Sequence, residues 1–436
     1  MTQEGTEKPS AVTYLRIIGV AAVIGIPAAF VAALFLAVVH WTQHWLWTDL
    51  PSDLGGSRPQ WYLVLGLPIL GAVVVLIARR FFPGDGGHRP LLGLASTPTP
   101  PKNGLSVALA AIGTLGFGAV LGPEGPLIAL GSVVGMTATM FVRLQPKEQA
   151  VLGTAGSFSA ISALFGGPLV AGMLLVESGI GMGAALIPAL LPGLVAAAIG
   201  YVIFVGLGNW GGIHEAGLTV ADLPLYHDVH IVDLLIAVAV GVMAAILLTL
   251  IRAIGNRVEV LRGGPRLSAP VLISGGLAVG VLALIARGLG ANSQDVLFSG
   301  QSSVPALVQQ TSAKVVLVLL VAKGIAYAIS LGCGFRGGPI FPAIFLGVAL
   351  TTLCQIAFNT SPTLAVSVGA AAGMGAMTRL LFAPVLFAML LVGDAGVNTV
   401  SAAVLASVAT WLTMTALEQR AAKAHPDSAA PAAPAG

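Results

Sequence analysis

The sequence predicts an all-α integral membrane protein in which many helices are broken by glycine or proline. Of its 436 residues, 56% are hydrophobic and only 8% are charged, and the mean hydropathy is +0.95. This composition lies far outside that of water-soluble domains. A spanning helix needs about 20 apolar residues, so the chain has room for roughly ten such segments.

Long apolar runs with almost no charge are the strongest predicted spans. They cover residues 14–39, 61–78, 231–250 and 272–286. The remaining apolar stretches are short or interrupted, because the chain also carries 56 glycines and 27 prolines. Irregular backbone at membrane depth persists only where it is buried in protein or lines a watery cavity, so a transport pathway is expected.

The termini and one basic segment suggest how the chain is organised. We expect a polar tail at 1–12, without the features of a cleaved signal, a transmembrane domain at 13–417, and a disordered, Ala/Pro-rich cytoplasmic tail at 418–436. Residues 208–230 contain three acids and no lysine or arginine. A predicted loop rich in arginine should therefore face the cytoplasm. Its arginines are Arg252, Arg257, Arg262 and Arg266.

A repeat at an offset of 216 residues is the clearest internal signal. GPEGPLIALG at 122–131 aligns with GPIFPAIFLG at 338–347, and GGPLVAGMLLV at 166–176 aligns with FAPVLFAMLLV at 382–392. Such halves are commonly inverted repeats that meet at a binding site near the middle of the membrane. The half-repeats are expected at about 60–207 and 231–417. The alternative is a coincidence among Gly, Ala and Leu.

Each half places a Gly/Pro turn directly before an apolar helix. The first N–H groups of a helix are unpaired and lie at the positive end of its dipole, so two helix starts aimed at one point would hold a small anion. The alternative is that the turns only break helices for packing. The candidate anion-binding residues are Gly122, Pro123, Glu124 and Gly125 in the first half, and Gly338, Pro339, Ile340 and Phe341 in the second.

Glu124 is the strongest candidate for a gating residue. An acid in such a sparsely charged stretch is costly at membrane depth and is usually functional. When ionised, its carboxylate can occupy the helix-start site as a tethered competitor of the anion; when protonated or displaced, it vacates that site. The alternative is an ordinary N-terminal helix cap.

These motifs resemble those of the CLC family of chloride channels and transporters. GPEGP resembles the family's GREGP, GGPIFP resembles GGIFAP, and ALFGGPLVAGMLLVE at 163–177 resembles its proline-started helix ending in acids. Residues 333–350 look most like an uncharacterised bacterial ion-transport branch. The resemblance implies a CLC-type fold with two inverted-topology halves of tilted, partly broken helices. It also implies a homodimer in the lipid bilayer with an anion pathway in each subunit, and Glu124 as the external gate.

Several positions depart from the family's pattern. Pro123 replaces an arginine, and Pro339 stands where the family has another residue, so each removes an N–H that would otherwise face the anion. GDGGHRP at 84–90 takes the place of the first motif, with Gly87 at the selectivity serine. Asp85 would repel an anion, so we expect it to point to the cytoplasm. No tyrosine follows Tyr327, so the family's internal tyrosine has no counterpart.

The proton pathway of family antiporters is only half represented. Glu177 and Ser178 stand where those antiporters carry two adjacent acids, the second of which takes protons from the cytoplasm. A serine hydroxyl does not titrate near neutral pH. Glu177 either transfers protons or is a helix-end residue that contacts basic loops. Lys323 and Arg336 either add positive potential near the pathway or pair with an acid.

Passive or glutamate-gated chloride conduction across a bacterial inner membrane is the function that the sequence favours, in a multi-pass protein with both termini cytoplasmic. One alternative is proton-coupled exchange of chloride or fluoride. Fluoride-type members carry a methionine in the first motif, and none lies between Met1 and Met136. Another is a cation-coupled carrier of an organic solute, whose buried polar ligands are sparse here.

Other classes of function are disfavoured. No nucleophile, base and orienting group can be assembled within the spans, so an enzyme is not expected. The 20 basic residues form no dense patch, which argues against nucleic acid as a partner. We expect no cofactor and no metal site, because Cys333 and Cys354 lie in apolar stretches typical of buried free thiols.

Overall fold

The computed structural model describes residues 11–93, 97–142, 144–178, 186–210, 218–263 and 265–424. These residues form seventeen α-helices joined by loops and short 3-10 or π turns. The α-helices are α1 (Ala11–His44), α2 (Leu50–Asp53), α3 (Trp61–Phe81), α4 (Gly104–Leu115), α5 (Glu124–Thr139), α6 (Pro146–Leu164), α7 (Pro168–Ser178), α8 (Leu186–Trp210), α9 (Ile231–Arg262), α10 (Pro265–Gly288), α11 (Ser293–Val296), α12 (Val304–Val308), α13 (Ala313–Cys333), α14 (Ile340–Phe358), α15 (Pro362–Thr378), α16 (Phe382–Val392) and α17 (Val400–Ala424).

The described helices are those of a multi-pass membrane protein. Eight helical segments in this part of the chain are long and apolar enough to cross a membrane. The four predicted spans are confirmed as parts of α1, α3, α9 and α10. Helices α5, α6, α7 and α16 are shorter than the 20 or so residues of a full span, as expected for a chain broken by glycine and proline.

The arginine-rich segment is helical, so its prediction as a loop was wrong. Arg252, Arg257 and Arg262 all lie within α9, because nothing breaks that helix before Gly263, and Arg266 belongs to α10. The predicted tail at 1–12 overlaps α1, which starts at residue 11. The predicted tail at 418–436 overlaps α17, which continues to residue 424. Residues 1–10, 211–217 and 425–436 lie outside the described part, so the acidic segment is described only in part.

The two halves of the chain repeat the same helix starts. Helices α5 and α14 begin at Glu124 and Ile340, and α6 and α15 begin at Pro146 and Pro362, which places both pairs 216 residues apart. The packing partners repeat as well, since α5 contacts α6 as α14 contacts α15, and α1 contacts α8 as α9 contacts α17. The predicted two-half architecture is confirmed, and the half-repeat bounds of 60–207 and 231–417 stay a prediction.

Close helix contacts within each half depend on glycine. A Cβ on Gly369 of α15 would overlap the backbone of Val348 on α14, and a Cβ on Gly347 would overlap the carbonyl of Gly369. In the first half, Gly131 of α5 meets Gly156 of α6 in the same way. Small residues let the backbones of membrane helices approach closely, and this close approach strengthens van der Waals packing between the helices.

We predict that Gly369→Ala lowers the stability of the folded protein by about 1–3 kcal/mol, because the added methyl group must push α14 and α15 apart. Thermal unfolding in mild detergent, followed by the loss of the monodisperse gel-filtration peak, measures the effect. Gly66→Ala on α3 is the matched control, since its Cβ would meet nothing within 4 Å. Equal unfolding temperatures for the two variants would contradict the packing argument.

Candidate anion site at two facing helix starts

Two glycines tie the halves together directly before helices α5 and α14. The N–H of Gly122 donates to the carbonyl of Gly338 at 2.7 Å, and the N–H of Gly338 donates to the carbonyl of Gly122 at 2.6 Å. The two residues are equivalent positions of the repeat, so the pair of bonds lies on the pseudo-two-fold axis between the halves. Each helix begins two residues later, and the reciprocal bonds therefore bring both helix starts to one place.

A second pair of bonds repeats this symmetry. The N–H of Val120 donates to the Ser330 hydroxyl of α13, and the N–H of Arg336 donates to the Thr114 hydroxyl of α4, both at 3.1 Å. These donors, and likewise these acceptors, are 216 residues apart. Sequence reasoning missed Thr114 and Ser330, although the repeat offset applied to the hydroxyl residues would have found them. The N–H groups of Val120 and Arg336, at equivalent places ahead of the two helix starts, are thus satisfied.

The Glu124 side chain reaches the start of the opposite helix. Its carboxylate is fully buried, and Oε1 accepts a hydrogen bond from the N–H of Ile340, the first residue of α14. Ile340 is also the repeat equivalent of Glu124. The N–H groups of Phe341 and of Glu124 itself also lie near this carboxylate. The Glu124 carboxylate thus reaches the start of a second helix, whereas an ordinary N-terminal cap, the alternative interpretation, would bind its own helix.

One oxygen of that carboxylate has no partner. Glu124 Oε2 is buried and accepts no hydrogen bond from the described residues. A buried charge with an unpaired oxygen is costly, and the positive end of the α14 dipole offsets only part of that cost. The arrangement is therefore sensitive to anything that neutralises or replaces the carboxylate, such as a proton or a competing anion.

The remaining predicted helix-start residues are close to Glu124 but differ in what they offer. Pro123 and Pro339 are the residues before α5 and α14 and carry no N–H. Gly125 packs against the backbone of Gly337.

The Phe341 ring lies in an aromatic cluster, with ring centroids 5.9 Å from those of Phe165 and of Phe387. Phe341 can therefore contribute its backbone N–H, while its ring fixes the first turn of α14.

Gly87 packs against helix α4. A Cβ on Gly87 would lie 3.2 Å from Val107 of α4, so this residue packs against that helix. The preceding Gly86 lies against the side chain of Arg336, two residues before Gly338. The 84–90 loop thus approaches the turn before α14 at Arg336.

Asp85 pairs with two arginines, and its predicted orientation toward the cytoplasm stays a prediction. Its carboxylate accepts from Arg79 at 2.6 Å and from Arg336, and its carbonyl accepts from Arg336 Nε at 2.9 Å. The Asp85 side chain is 53% exposed, whereas that of Arg336 is 2% exposed. Partial burial alone would raise the pKa of Asp85, but Arg336 and Arg79 outweigh burial and hold it below its usual value. Arg336 therefore pairs with an acid, one of the two alternatives.

Lys323 forms no ion pair with the described residues and instead contacts backbone carbonyls. Its buried ammonium lies 2.9–3.3 Å from the carbonyl oxygens of residues 295–298, at the end of the short helix α11. It also lies 4.6 Å from the centre of the Phe345 ring. Four carbonyls and an aromatic face surround this cation, so its direct contacts stabilise a loop.

Glu177 caps the neighbouring helix α16. Its Oε1 accepts from the N–H groups of Leu381 and Phe382, both at 2.8 Å, and its Oε2 accepts from Ala383 N–H at 2.7 Å. Three backbone N–H groups of the α16 start thus share this one carboxylate. The Ser178 hydroxyl donates to the Leu174 carbonyl within its own helix at 2.5 Å. The acid thus contacts a helix start, and the serine turns back onto its helix.

The fold and the facing helix starts define a class of membrane anion-transport protein, and the comparisons give the family. The sequence pattern described as "Voltage gated chloride channel" matches residues 70–413. The chain therefore belongs to the voltage gated chloride channel (CLC) family, whose members are channels and transporters rather than enzymes. Membership of this family does not support the alternative function, a cation-coupled carrier of an organic solute.

Similar proteins agree with this assignment. Relatives named "Putative ion-transport protein YfeO" are 30% identical over 359 residues in Shigella boydii and 31% identical over 363 residues in Salmonella choleraesuis. These alignments cover 78% of this chain and 79% and 81% of the relatives. The predicted resemblance to a bacterial ion-transport branch is thereby confirmed.

Solved structures share the fold. The crystal structure of a slow cyanobacterial Cl⁻/H⁺ antiporter superposes with a TM-score of 0.72 at 17% identity and covers 93% of this chain and 98% of its own. A CLC-type fluoride/proton antiporter gives 0.73 at 21% identity, covering 94% and 98%. The predicted CLC-type fold is confirmed.

We predict that Glu177→Gln lowers the stability of the folded state by about 1–3 kcal/mol, because an amide cannot accept all three hydrogen bonds from the start of α16. Thermal unfolding in detergent measures the loss. Glu418→Gln is the matched control: Glu418 forms a half-exposed pair with Arg379, and such surface pairs contribute little. Full stability of Glu177→Gln would show that the α16 cap is unimportant.

Proposed function

We propose that this protein is a passive, glutamate-gated chloride channel in which Glu124 is the gate. The observation that carries the proposal is the position of its carboxylate, which binds the first N–H of α14 and keeps one oxygen unpaired. A carboxylate and a chloride ion carry the same charge and compete for the same N–H donors. The side chain is therefore a tethered anion, and a permeating anion takes its place when it leaves.

The site needs no full positive charge to bind an anion. Backbone N–H groups and the positive ends of α5 and α14 supply the attraction, while Arg336 and Lys323 are held by Asp85 and by backbone carbonyls. Partial charges bind an anion weakly enough for it to leave again, which conduction requires. Pro123 and Pro339 weaken the site further, since each removes one N–H donor.

Proton coupling would require a second titrating group between the cytoplasm and Glu124. At the position matching the family's internal proton acceptor stands Ser178, which does not titrate near neutral pH. Glu177, one residue earlier, is occupied by three N–H groups of α16. These contacts favour a structural role for Glu177 and support uncoupled conduction.

Proton-coupled exchange of chloride or fluoride is the second candidate. It is favoured by the two antiporters whose solved structures share the fold. Fluoride is the less favoured cargo, because the 84–90 loop contains no methionine. The protein is further proposed to be a homodimer with one pathway per subunit and with both termini in the cytoplasm of the cell whose inner membrane it spans.

We predict that Glu124→Gln removes the pH dependence of anion flux and raises flux at neutral pH, because a neutral amide cannot compete as a charged tether. Chloride efflux from liposomes, measured between pH 4 and 8, tests this. Glu148→Gln is the matched control, since Glu148 also lies in the first turn of a helix but caps α6 at a partly exposed position. A Glu124→Gln profile that follows the parent would refute the gate.

We predict that chloride movement does not drive protons uphill. Liposomes with a chloride gradient, a pH indicator outside and a potassium ionophore to clamp the voltage provide the measurement. The external pH should stay constant while chloride leaves. Uphill proton movement that follows chloride and disappears in Glu177→Gln would instead establish the antiporter.

We predict that light scattering in mild detergent gives twice the chain mass of 43.9 kDa. Exposed apolar side chains such as Leu191 and Val202 of α8 and Leu412 of α17 are available to pack between subunits. Cross-linking within liposomes checks the same state in lipid. A strictly monomeric protein that still conducts would contradict the dimer.

A further inference from the structure

A buried hydroxyl beside the gate has no role in the function proposed above. The Tyr327 side chain on α13 is fully buried, and its hydroxyl donates to the carbonyl oxygen of Pro339 at 2.5 Å. Pro339 directly precedes Ile340, whose N–H binds Glu124 Oε1. The carbonyl that Tyr327 holds and the N–H that Glu124 holds therefore belong to one peptide unit.

A peptide unit that is bonded at both ends forms part of a polarised chain. A donor on its carbonyl oxygen draws electron density toward that oxygen and makes the N–H on the other side a stronger donor. Such cooperative strengthening amounts to roughly 10–30% per bond. The bond to the carboxylate is charge-assisted and therefore strong to begin with. Tyr327 can thus act on the Glu124 carboxylate without touching it.

The repeat provides an internal comparison. The position equivalent to Tyr327 in the first half is Ala111, which has no side-chain donor, and there the Pro123 carbonyl accepts from the Leu127 N–H at 3.0 Å. Glu124 likewise has no acidic equivalent, because Ile340 stands in its place. Of the two facing helix starts, the phenol therefore lies behind the one that holds a carboxylate.

Few charged groups of the described residues lie near this chain of bonds. Glu124 and Arg252 of α9 act electrostatically on the Tyr327 phenol. Lys323, one turn earlier on α13, is held by the carbonyls of residues 295–298. The hydrogen bonds that Glu124 accepts from the described residues come from backbone N–H groups. Removing the hydroxyl would therefore change the strength of a donor and leave the local charge unchanged.

We propose that Tyr327 is a positioning residue that sets how tightly the start of α14 holds an anion, whether the Glu124 carboxylate or free chloride, by donating to the Pro339 carbonyl. The inference rests on the proposed function, because it takes this helix start to be the anion site. It adds a positioning residue on α13 to a site otherwise built from the two turns.

Tyr327→Phe removes the hydroxyl and little else. In the Glu124→Gln background, the chloride concentration for half-maximal flux should rise about two- to five-fold, because the N–H donor is weaker. In the chain that keeps Glu124, the weaker donor holds the carboxylate less firmly, so the carboxylate takes up its proton at higher pH. At fixed low chloride, the pH of half-maximal flux should rise by about 0.3–0.7 unit, which is the same factor on a logarithmic scale.

Tyr226→Phe is the matched control. It also removes a largely buried phenol hydroxyl, which donates to Asp233 of α9, and it should leave both midpoints unchanged. Should Tyr327→Phe fail to fold, Tyr327→3-fluorotyrosine keeps the hydroxyl and makes it a stronger donor. The pH of half-maximal flux should then fall instead of rising.

The outcomes separate the two proposals. Suppose that the pH dependence is lost in Glu124→Gln, and that every folded Tyr327 variant keeps the pH midpoint within 0.1 unit of the parent. That result would overturn the role of Tyr327 and leave the gate intact. Parent flux without any pH dependence would overturn the proposed gate, and the role of Tyr327 with it. Opposite shifts for phenylalanine and fluorotyrosine would establish the peptide-mediated effect, since a purely structural role predicts no such sign change.

Discussion

The reciprocal hydrogen bonds between Gly122 and Gly338 are the constraint on which the site depends. Irregular backbone at membrane depth must be satisfied within the protein, and here each turn satisfies the other. Because the paired residues are repeat equivalents, α5 and α14 must begin on either side of the same axis. A side chain on Gly338 would overlap the Glu124 carboxyl group, which explains why this position is glycine.

The site differs from its surroundings in how its charge is balanced. Asp85 and Arg336 neutralise one another, Lys323 is surrounded by carbonyls, and Glu177 is capped by three N–H groups. Glu124 instead relies on the partial charges of a helix start and keeps one oxygen unpaired. A negative group held by partial charges can be exchanged for another anion, whereas a full ion pair would be far harder to open.

Much of this architecture was predictable, because the repeat offset of 216 residues is a property of the sequence. From the sequence alone, that offset makes Glu124 and Ile340 equivalent positions, and the two motifs identify both helix starts. The contacts of long side chains were not predictable. Whether Arg336 meets Asp85, whether Lys323 meets carbonyls and whether Glu177 caps α16 all depend on packing between elements that are far apart in sequence. The contact of Tyr327 was not predictable either, because a single tyrosine in an apolar helix gives no pattern.

The central claim is that the Glu124 carboxylate and a permeating anion occupy one site at the start of α14. Anomalous diffraction from crystals grown in bromide tests it most directly, with the parent and Glu124→Gln compared at neutral pH. We expect a bromide peak within hydrogen-bonding distance of the Ile340 N–H in Glu124→Gln, at the position that the carboxylate occupies in the parent, and no such peak in the parent. A bromide ion bound there beside an undisplaced Glu124 carboxylate, or no bromide there in either protein, would contradict the account.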